Sequence, residues 1–323
     1  MRIFSGMQPT GIVHLGNYFG ALENWVRLQE EDNECIYSIV NEHAITQPQN
    51  PNDLKKNPLE IAAAFIATGI DPDKSTLFVQ SDVPEHAQLA WILNCLAPMG
   101  QMERMIQFKE KSEKNPSAVN VGLFSYPILQ AADVLLYKTD IVPVGIDQAQ
   151  HLELTRDLAS KFNRTYKPIF KEPKTLHTKT KKILGLDGKN KMSKSLNNFI
   201  GVVDDKKTNW DKLRIAMTDP SRVTKKDPGK PEICNVYSLH SLFSGKEDLE
   251  WSASGCKSAS IGCIECKKKL FENMEKTLLP IRERYQQLMS DPDKIRDILH
   301  MGADKARSYA KETLEEVHNA IGF

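Results

Sequence analysis

The residues with the strongest chemical character fall in two short segments far apart in the chain. Lys191-Met192-Ser193-Lys194-Ser195 places two ammonium groups three residues apart, and Gly185, Gly188 and Asn190 ahead of them read as a mobile approach. Near the start, His14-Leu15-Gly16-Asn17 sits where a strand is expected to hand over to a helix. An imidazole at a helix mouth and a pair of movable cations suit the handling of a triphosphate, because a helix N-terminus offers unbonded N–H groups to anions. Taken alone, the first segment also fits a loop histidine followed by an Asn helix cap.

A third segment, Gly145-Ile146-Asp147-Gln148-Ala149-Gln150-His151, opens another expected helix. Asp147 suits the cap of that helix. At a nucleotide site it can also accept from ribose hydroxyls, with Gln148 holding a substrate ammonium. Gly6 and Gly11, after the first expected strand, permit close approach of backbone to a ligand.

The elements that must carry these segments alternate. Apolar runs predict strands at residues 2–5, 35–40, 75–80 and 141–144. Apolar spacing at three and four predicts helices at 16–29, 54–68, 84–95, 101–114, 123–137 and 147–161. The run at 35–40 lacks clean alternation, as expected of a parallel strand covered on both faces. The fold class that follows is α/β: a Rossmann-like doubly wound parallel sheet with a C-terminal α-helical domain. From about residue 209 the pattern is helical, at 212–217, 249–251, 264–289, 295–299 and 303–321. The expected domains are therefore 1–200 and 201–323.

Bulk properties narrow the class. The chain has 323 residues, 40% hydrophobic and 26% charged, which is ordinary for a globular protein. A net charge of +1 gives no global basic field for nucleic acid, so RNA contact would fall to local patches such as Lys179, Lys181 and Lys182, or Lys267 to Lys269. The same runs also suit a solvated face. No apolar stretch approaches the roughly 20 residues of a membrane span, and no signal segment is evident, so the expected location is cytoplasmic. Thiols there stay reduced.

Cys35 and Cys95 read as core. Cys234, Cys256, Cys263 and Cys266 are clustered, with gaps of 21, six and two residues. Four thiolates on one metal centre suit that spacing, zinc being the commoner outcome. Four unliganded thiols are the alternative.

The three chemical segments occur together in class I aminoacyl-tRNA synthetases of the tryptophanyl and tyrosyl branch, which the chain resembles over nearly its whole length. It is most similar to the bacterial tryptophanyl-tRNA synthetases. The residues that carry this are Ile3-Phe4-Ser5-Gly6-Met7-Gln8-Pro9-Thr10-Gly11, Glu42-His43-Ala44-Ile45-Thr46, Gln107-Phe108-Lys109-Glu110-Lys111-Ser112, Gln130-Ala131-Ala132-Asp133 and Asp140-Ile141-Val142-Pro143-Val144-Gly145. Gln130 departs from the pattern, since the bacterial family often has Met there.

The resemblance implies activation of L-tryptophan by ATP and transfer to tRNA(Trp), in a homodimer that joins through residues 84–137. Charging with tyrosine, or a catalytically inactive RNA-binding paralogue, are the alternatives; intact His14, Lys111, Lys191 and Lys194 speak against the second. It implies a tryptophan site of Phe4, Gly6, His43, Tyr126, Gln130, Asp133, Val142, Val144 and Gln148, with Asp133 accepting the indole N–H. Indole offers one donor and no acceptor, so a carboxylate suits it. It implies an ATP site of His14, Gly16, Asn17, Gly145, Asp147, Met192, Ser193 and Ser195. Lys111, Lys191, Lys194 and Gln8 would be catalytic, with Mg2+ entering on ATP. It further implies that the helical domain binds the anticodon, and that the four cysteines hold a [4Fe–4S] cluster, with zinc as the alternative.

Overall fold

The computed structural model describes residues 1–145, 148–177 and 183–323, apart from the side chain of Lys114. Five strands form one parallel sheet: β1 (Arg2–Met7), β2 (Glu34–Ile39), β3 (Ser75–Val79), β4 (Ile141–Val144) and β5 (Lys174–His177), in the order β3-β2-β1-β4-β5. β3 is buried throughout and β2 nearly so, which is why their sequences run apolar without alternation. The winding reverses between β1 and β4, so ligands are expected beyond the carboxyl ends of those strands.

The expected sheet is therefore present, with one strand more than the sequence pattern gave. β5 reads Lys-Thr-Leu-His, too polar to signal a strand, but as an edge strand it needs only the backbone ladder to β4.

The helices that follow β1 are α1 (Leu15–Asn17), then α2 (Glu23–Glu30) after a π-helical turn at Tyr18–Leu22. The single helix expected at 16–29 is thus interrupted. Next come α3 (Asn41–Ala44), α4 (Pro51–Ala67), α5 (Glu85–Asn94), α6 (Met99–Met102), α7 (Ile106–Lys114), α8 (Val121–Leu135) and α9 (Ala149–Thr165). The expected helix 101–114 breaks where Met105 turns extended, with φ −62° and ψ 120°. α10 (Lys206–Arg214), α11 (Asn235–Phe243), α12 (Lys246–Lys257), α13 (Cys263–Met289) and α14 (Pro292–Ile321) complete the chain. α11 was not expected: it is short and no side chain caps its start.

Contacts group the chain differently from a division at residue 200. One compact unit holds Met1–Gly11, Ala21–Thr180 and Asp291–Phe323; the other holds Ile12–Gly20 and Lys181–Ser290. The last helix thus belongs with the sheet, and the His14 segment belongs with the lysine segment. In the sheet unit, Phe4, Ile36, Phe78, Leu135, Leu158 and Ala306 are part of one buried core. Among the described residues no helix is long and apolar enough to cross a membrane.

Gly302 explains why two expected helices run on as α14. A Cβ there would lie 1.9 Å from the Leu77 carbonyl oxygen on β3, so the glycine serves close approach of helix to sheet rather than a break. Gly302→Ala in an open helix would stabilise by about 1 kcal/mol. Here the carbonyl cannot give way cheaply, and we expect a net loss of about 2–3 kcal/mol, read as a lower urea midpoint for the sheet unit.

Candidate active site

In the second unit the backbone ties the two chemical segments together. Leu15 N–H donates to the Ile200 carbonyl at 3.0 Å and Val202 N–H to the Val13 carbonyl at 2.9 Å, so His14 and Gly201 face each other in an antiparallel bridge. His14 caps α1: its Nδ1 accepts from Asn17 N–H at 3.3 Å, while Asn17 Oδ1 accepts from His14 N–H at 3.2 Å. This reciprocal cap fixes the tautomer. With Nδ1 used as an acceptor, the ring proton sits on Nε2. Burial, then the positive charges of Lys194 and Lys191, push the imidazole down to about 4. His14 is therefore a neutral, directional donor at physiological pH.

Gly16 is needed beside it. A Cβ at this position would fall 2.9 Å from His14 Cε1 and 3.6 Å from Met192 Cβ. Met192 is buried, so its part is to pack the lysine segment down, while Ser193 Oγ and Ser195 Oγ bond each other at 2.8 Å.

The approach expected to be mobile is instead pinned by side chains. Asp187 accepts from the backbone N–H groups of Lys189 and Asn190 and from the amides of Asn190 and Asn198; Asn198 Oδ1 in turn accepts from Ser193 N–H. Gly185 is required because a Cβ would lie 2.0 Å from Asn198 Nδ2, and Gly188 takes φ +65°. Lys191 is exposed. Lys194 is half-buried, and that burial lowers its ammonium to about 8.

In the sheet unit, α8 presents Tyr126, Gln130 and Asp133 at spacings of four and three, one face of the helix. Asp133 is only 1% exposed. Its Oδ2 accepts from His43 Nε2 at 2.8 Å; its Oδ1 accepts from Gln80 Nε2 at 2.8 Å and from His86 Nδ1 at 2.6 Å. Burial opposes ionisation, but the charge and hydrogen bonds of His86 and His43 outweigh it and hold the carboxyl well below the usual range. Gln80 and His86 were not expected from the sequence. The only signal was a polar residue directly after an apolar strand and a histidine among the apolar positions of α5.

Tyr126 hydroxyl bonds Gln107 at 2.9 Å and His151 at 3.0 Å, and His151 Nδ1 lies 2.9 Å from Gln148 Oε1. Lys111 Nζ stands 4.5 Å from the centre of the Tyr126 ring, and burial lowers its ammonium. Phe4 and Val142 are buried in the core of the sheet unit, Phe4 stacking on Tyr137 at 5.4 Å. Gly6 and Gln8 are exposed at the end of β1, and Val144 and Gly145 follow suit, half-buried, at the end of β4. Asp147 lies outside the described residues.

The four clustered cysteines lie near enough for thiolate charge at Cys234, Cys256 and Cys263 to raise Cys266, after burial, to about 11. Polar donors surround them. Arg222 Nη1 lies 3.7 Å from Cys256 Sγ, and Ser252 Oγ and His240 Nε2 lie 3.2 and 3.4 Å from Cys266 Sγ. Gly229 leaves room, since its Cβ would meet Cys256 Sγ at 2.5 Å. Among the described residues no three His, Cys, Asp or Glu side chains are gathered as a site for one metal ion.

Two expectations nearby are corrected. Lys267 is buried, its ammonium donating to the carbonyls of Arg214 and Ala216 at 2.7 Å, and Lys269 pairs with Asp248, so this run is not an open basic patch. Cys35 is buried as expected, but Cys95 is exposed. Lys179, Lys181 and Lys182 lie outside the described residues.

The family model for tRNA synthetases class I (W and Y) matches residues 1–279. The chain is 49% identical to the tryptophan–tRNA ligase of Deinococcus radiodurans, covering 100% of this chain and 98% of that one. With the Thermotoga maritima tryptophan–tRNA ligase it shares 45%, over 100% and 99%. Its fold matches the crystal structure of tryptophanyl-tRNA synthetase from Campylobacter jejuni complexed with ADP and tryptophan at a TM-score of 0.92 and 39% identity, over 100% of both chains.

Gly16→Ala should displace the His14 ring and break the reciprocal cap. Since small misplacements of a donor facing ATP would be costly, kcat/KM for ATP in pyrophosphate exchange is expected to fall by about tenfold to a hundredfold. Gly20→Ala, where a Cβ meets nothing within 4 Å, should leave it unchanged.

Proposed function

We propose how this chain, which belongs to the class I tRNA synthetases of the tryptophan and tyrosine branch, carries out its reaction from the two groups of side chains described above. It is a tryptophan–tRNA ligase, activating tryptophan with ATP and charging tRNA(Trp). In our reading, the observation behind the choice of amino acid is the buried, ionised Asp133 on the α8 face with Tyr126 and Gln130. A carboxylate kept ionised in an apolar setting must be met by a donor, and an indole N–H is one. A side chain without such a donor leaves it underpaired.

A substrate carboxylate oxygen attacks the α-phosphorus of ATP, forming the mixed anhydride and releasing pyrophosphate. The attacking group is already anionic, so no general base is required. What remains is positioning and neutralisation of charge on the leaving group. His14 Nε2–H supplies a directional neutral hydrogen bond to phosphate, and Lys191 and Lys194 supply positive charge; Lys111 and Gln8 are assigned to the same step. Gly16, Asn17, Met192, Ser193 and Ser195 hold this machinery in shape, Gly145 gives ATP close backbone approach, and Gln148 serves the substrate ammonium. Mg2+ enters with ATP, bound mainly by the phosphates. The adenylate then passes to a tRNA 3′ end, in the cytoplasm where translation runs.

The helical domain of residues 201–323 is assigned to anticodon binding, and its four cysteines to an iron–sulfur cluster. Support comes from the shared electrostatics of Cys234, Cys256, Cys263 and Cys266, the donors Arg222, Ser252 and His240 around them, and the space left by Gly229. We also assign a homodimer. Trp91, Met99, Ile106 and Val121 stand 57–80% exposed in the segment expected to join the copies, whereas Ile92, Met102 and Met105 are monomer core.

Pyrophosphate exchange tests the reading: tryptophan should drive it, and exchange driven equally well by tyrosine would overturn the assignment. In that assay kcat/KM for ATP reports the free enzyme. The Lys194 ammonium is charged below about 8, so activity should decline as pH rises through about 8. Lys194→Arg should remove this limb, and Lys194→Ala should lower kcat by roughly 10²-fold or more.

Protein purified without oxygen should carry about four iron and four sulfide per chain on its four thiolates. About one zinc instead would move the cysteines to a structural zinc site, and neither metal would overturn the assignment. Cys266→Ser should then impair tRNA charging more than pyrophosphate exchange.

A further inference from the structure

A carboxylate has about four positions at which to accept a hydrogen bond. Among the described residues, three of those on Asp133 are taken by Gln80, His86 and His43. Oδ1 receives two of the three, and Oδ2 receives only His43. The oxygen with a position left is therefore Oδ2, on the His43 side.

Both partners of Oδ1 are themselves held. Gln80 is fully buried, and its Oε1 accepts from Glu42 N–H at 3.1 Å. That contact fixes which end of the amide is oxygen, so its nitrogen must face Asp133. His86 is also fully buried. An ionised carboxylate only accepts, so His86 Nδ1 carries a proton, while Nε2 lies 2.7 Å from the Tyr137 hydroxyl. Tyr137 is clamped in turn between Phe4 and Phe78, at ring separations of 5.4 and 6.1 Å. The carboxylate plane is set from behind by a chain of groups that ends in the packed core.

We propose that Gln80 and His86, backed by Tyr137, are positioning residues that set the amino-acid specificity of the site by occupying Oδ1 of Asp133 and turning Oδ2 toward the substrate N–H. The proposal rests on Asp133 reading that N–H, as assigned above. Neither residue needs to touch substrate. Each acts by denying the carboxylate any other orientation, in the way that groups behind a metal ligand or a catalytic histidine fix its direction.

The test compares tryptophan with 3-(benzothiophen-3-yl)alanine, in which sulfur replaces the indole N–H, using pyrophosphate exchange by the full-length protein. Gln80→Met and His86→Leu should lower kcat/KM for tryptophan by about tenfold to a hundredfold, the range of a lost hydrogen bond to a charged group. Values for the sulfur analogue should change by less than about twofold, and KM for ATP should hold. Gln80→Glu keeps the shape and the acceptor for Glu42 N–H but sets a second carboxyl against Asp133. It should lose the tryptophan preference too. His86→Asn, which returns a donor near the Nδ1 position, should recover part of it.

Equal losses on both substrates would show a merely structural role and overturn the proposal. If His86→Leu does not fold, Gln80→Glu and Tyr137→Phe carry the same comparison. Asp133→Ala separates the two levels. Preference retained in Asp133→Ala refutes the reading of Asp133 itself; preference lost there but kept in Gln80→Met and His86→Leu refutes the positioning role alone.

Discussion

A charge with almost no access to water is the constraint that orders the sheet unit. Asp133 stays ionised at 1% exposure only because three donors converge on it. Those donors come from the carboxyl end of β2, the carboxyl end of β3 and the helix α5, so parallel register must bring the strand ends level before the charge can be met. Removing any one donor leaves part of a buried charge unpaired, which costs far more than the same bond contributes on the surface. The core follows from this: Phe4, Phe78 and Tyr137 pack where they do in part to hold His86 still.

The second unit solves the opposite problem, keeping an imidazole uncharged beside two ammonium groups. Burial and the lysines both disfavour the imidazolium, so the cluster that carries positive charge also keeps His14 neutral. Charge and direction are thereby divided. The lysines carry the positive charge, and the histidine, its tautomer fixed by Asn17, offers a single directional N–H. This division depends on the backbone bridge between His14 and Gly201, which brings together segments from opposite ends of an α/β region.

Much of this was legible in the sequence because it is local. The cap of α1 lies within His14-Leu15-Gly16-Asn17, and the four buried strands announce themselves as apolar runs. Other features were hidden by their surroundings. β5 needs a neighbour's backbone rather than an apolar sequence, so nothing in Lys174 to His177 reveals it. Lys267 sits in a run of lysines that looks solvated, yet two carbonyls from residues 214 and 216 draw it inside. Gly302 reads as a helix break until the Leu77 carbonyl is seen against it. Gly185 likewise looked like a source of mobility until Asn198 filled the space over it.

The sequence by itself determined the doubly wound class, the helix start at His14 to Asn17, the pair of lysines and the clustering of four cysteines. Each is set by neighbours within a few residues or by the periodicity of burial along one element. Only the tertiary structure decided which polar groups meet Asp133. His86 and Gln80 stand 47 and 53 residues from it, and His43 90. No spacing rule links positions so far apart. Their meeting is fixed by strand order and helix packing, and a buried carboxylate can choose its partners only after the core has closed around it.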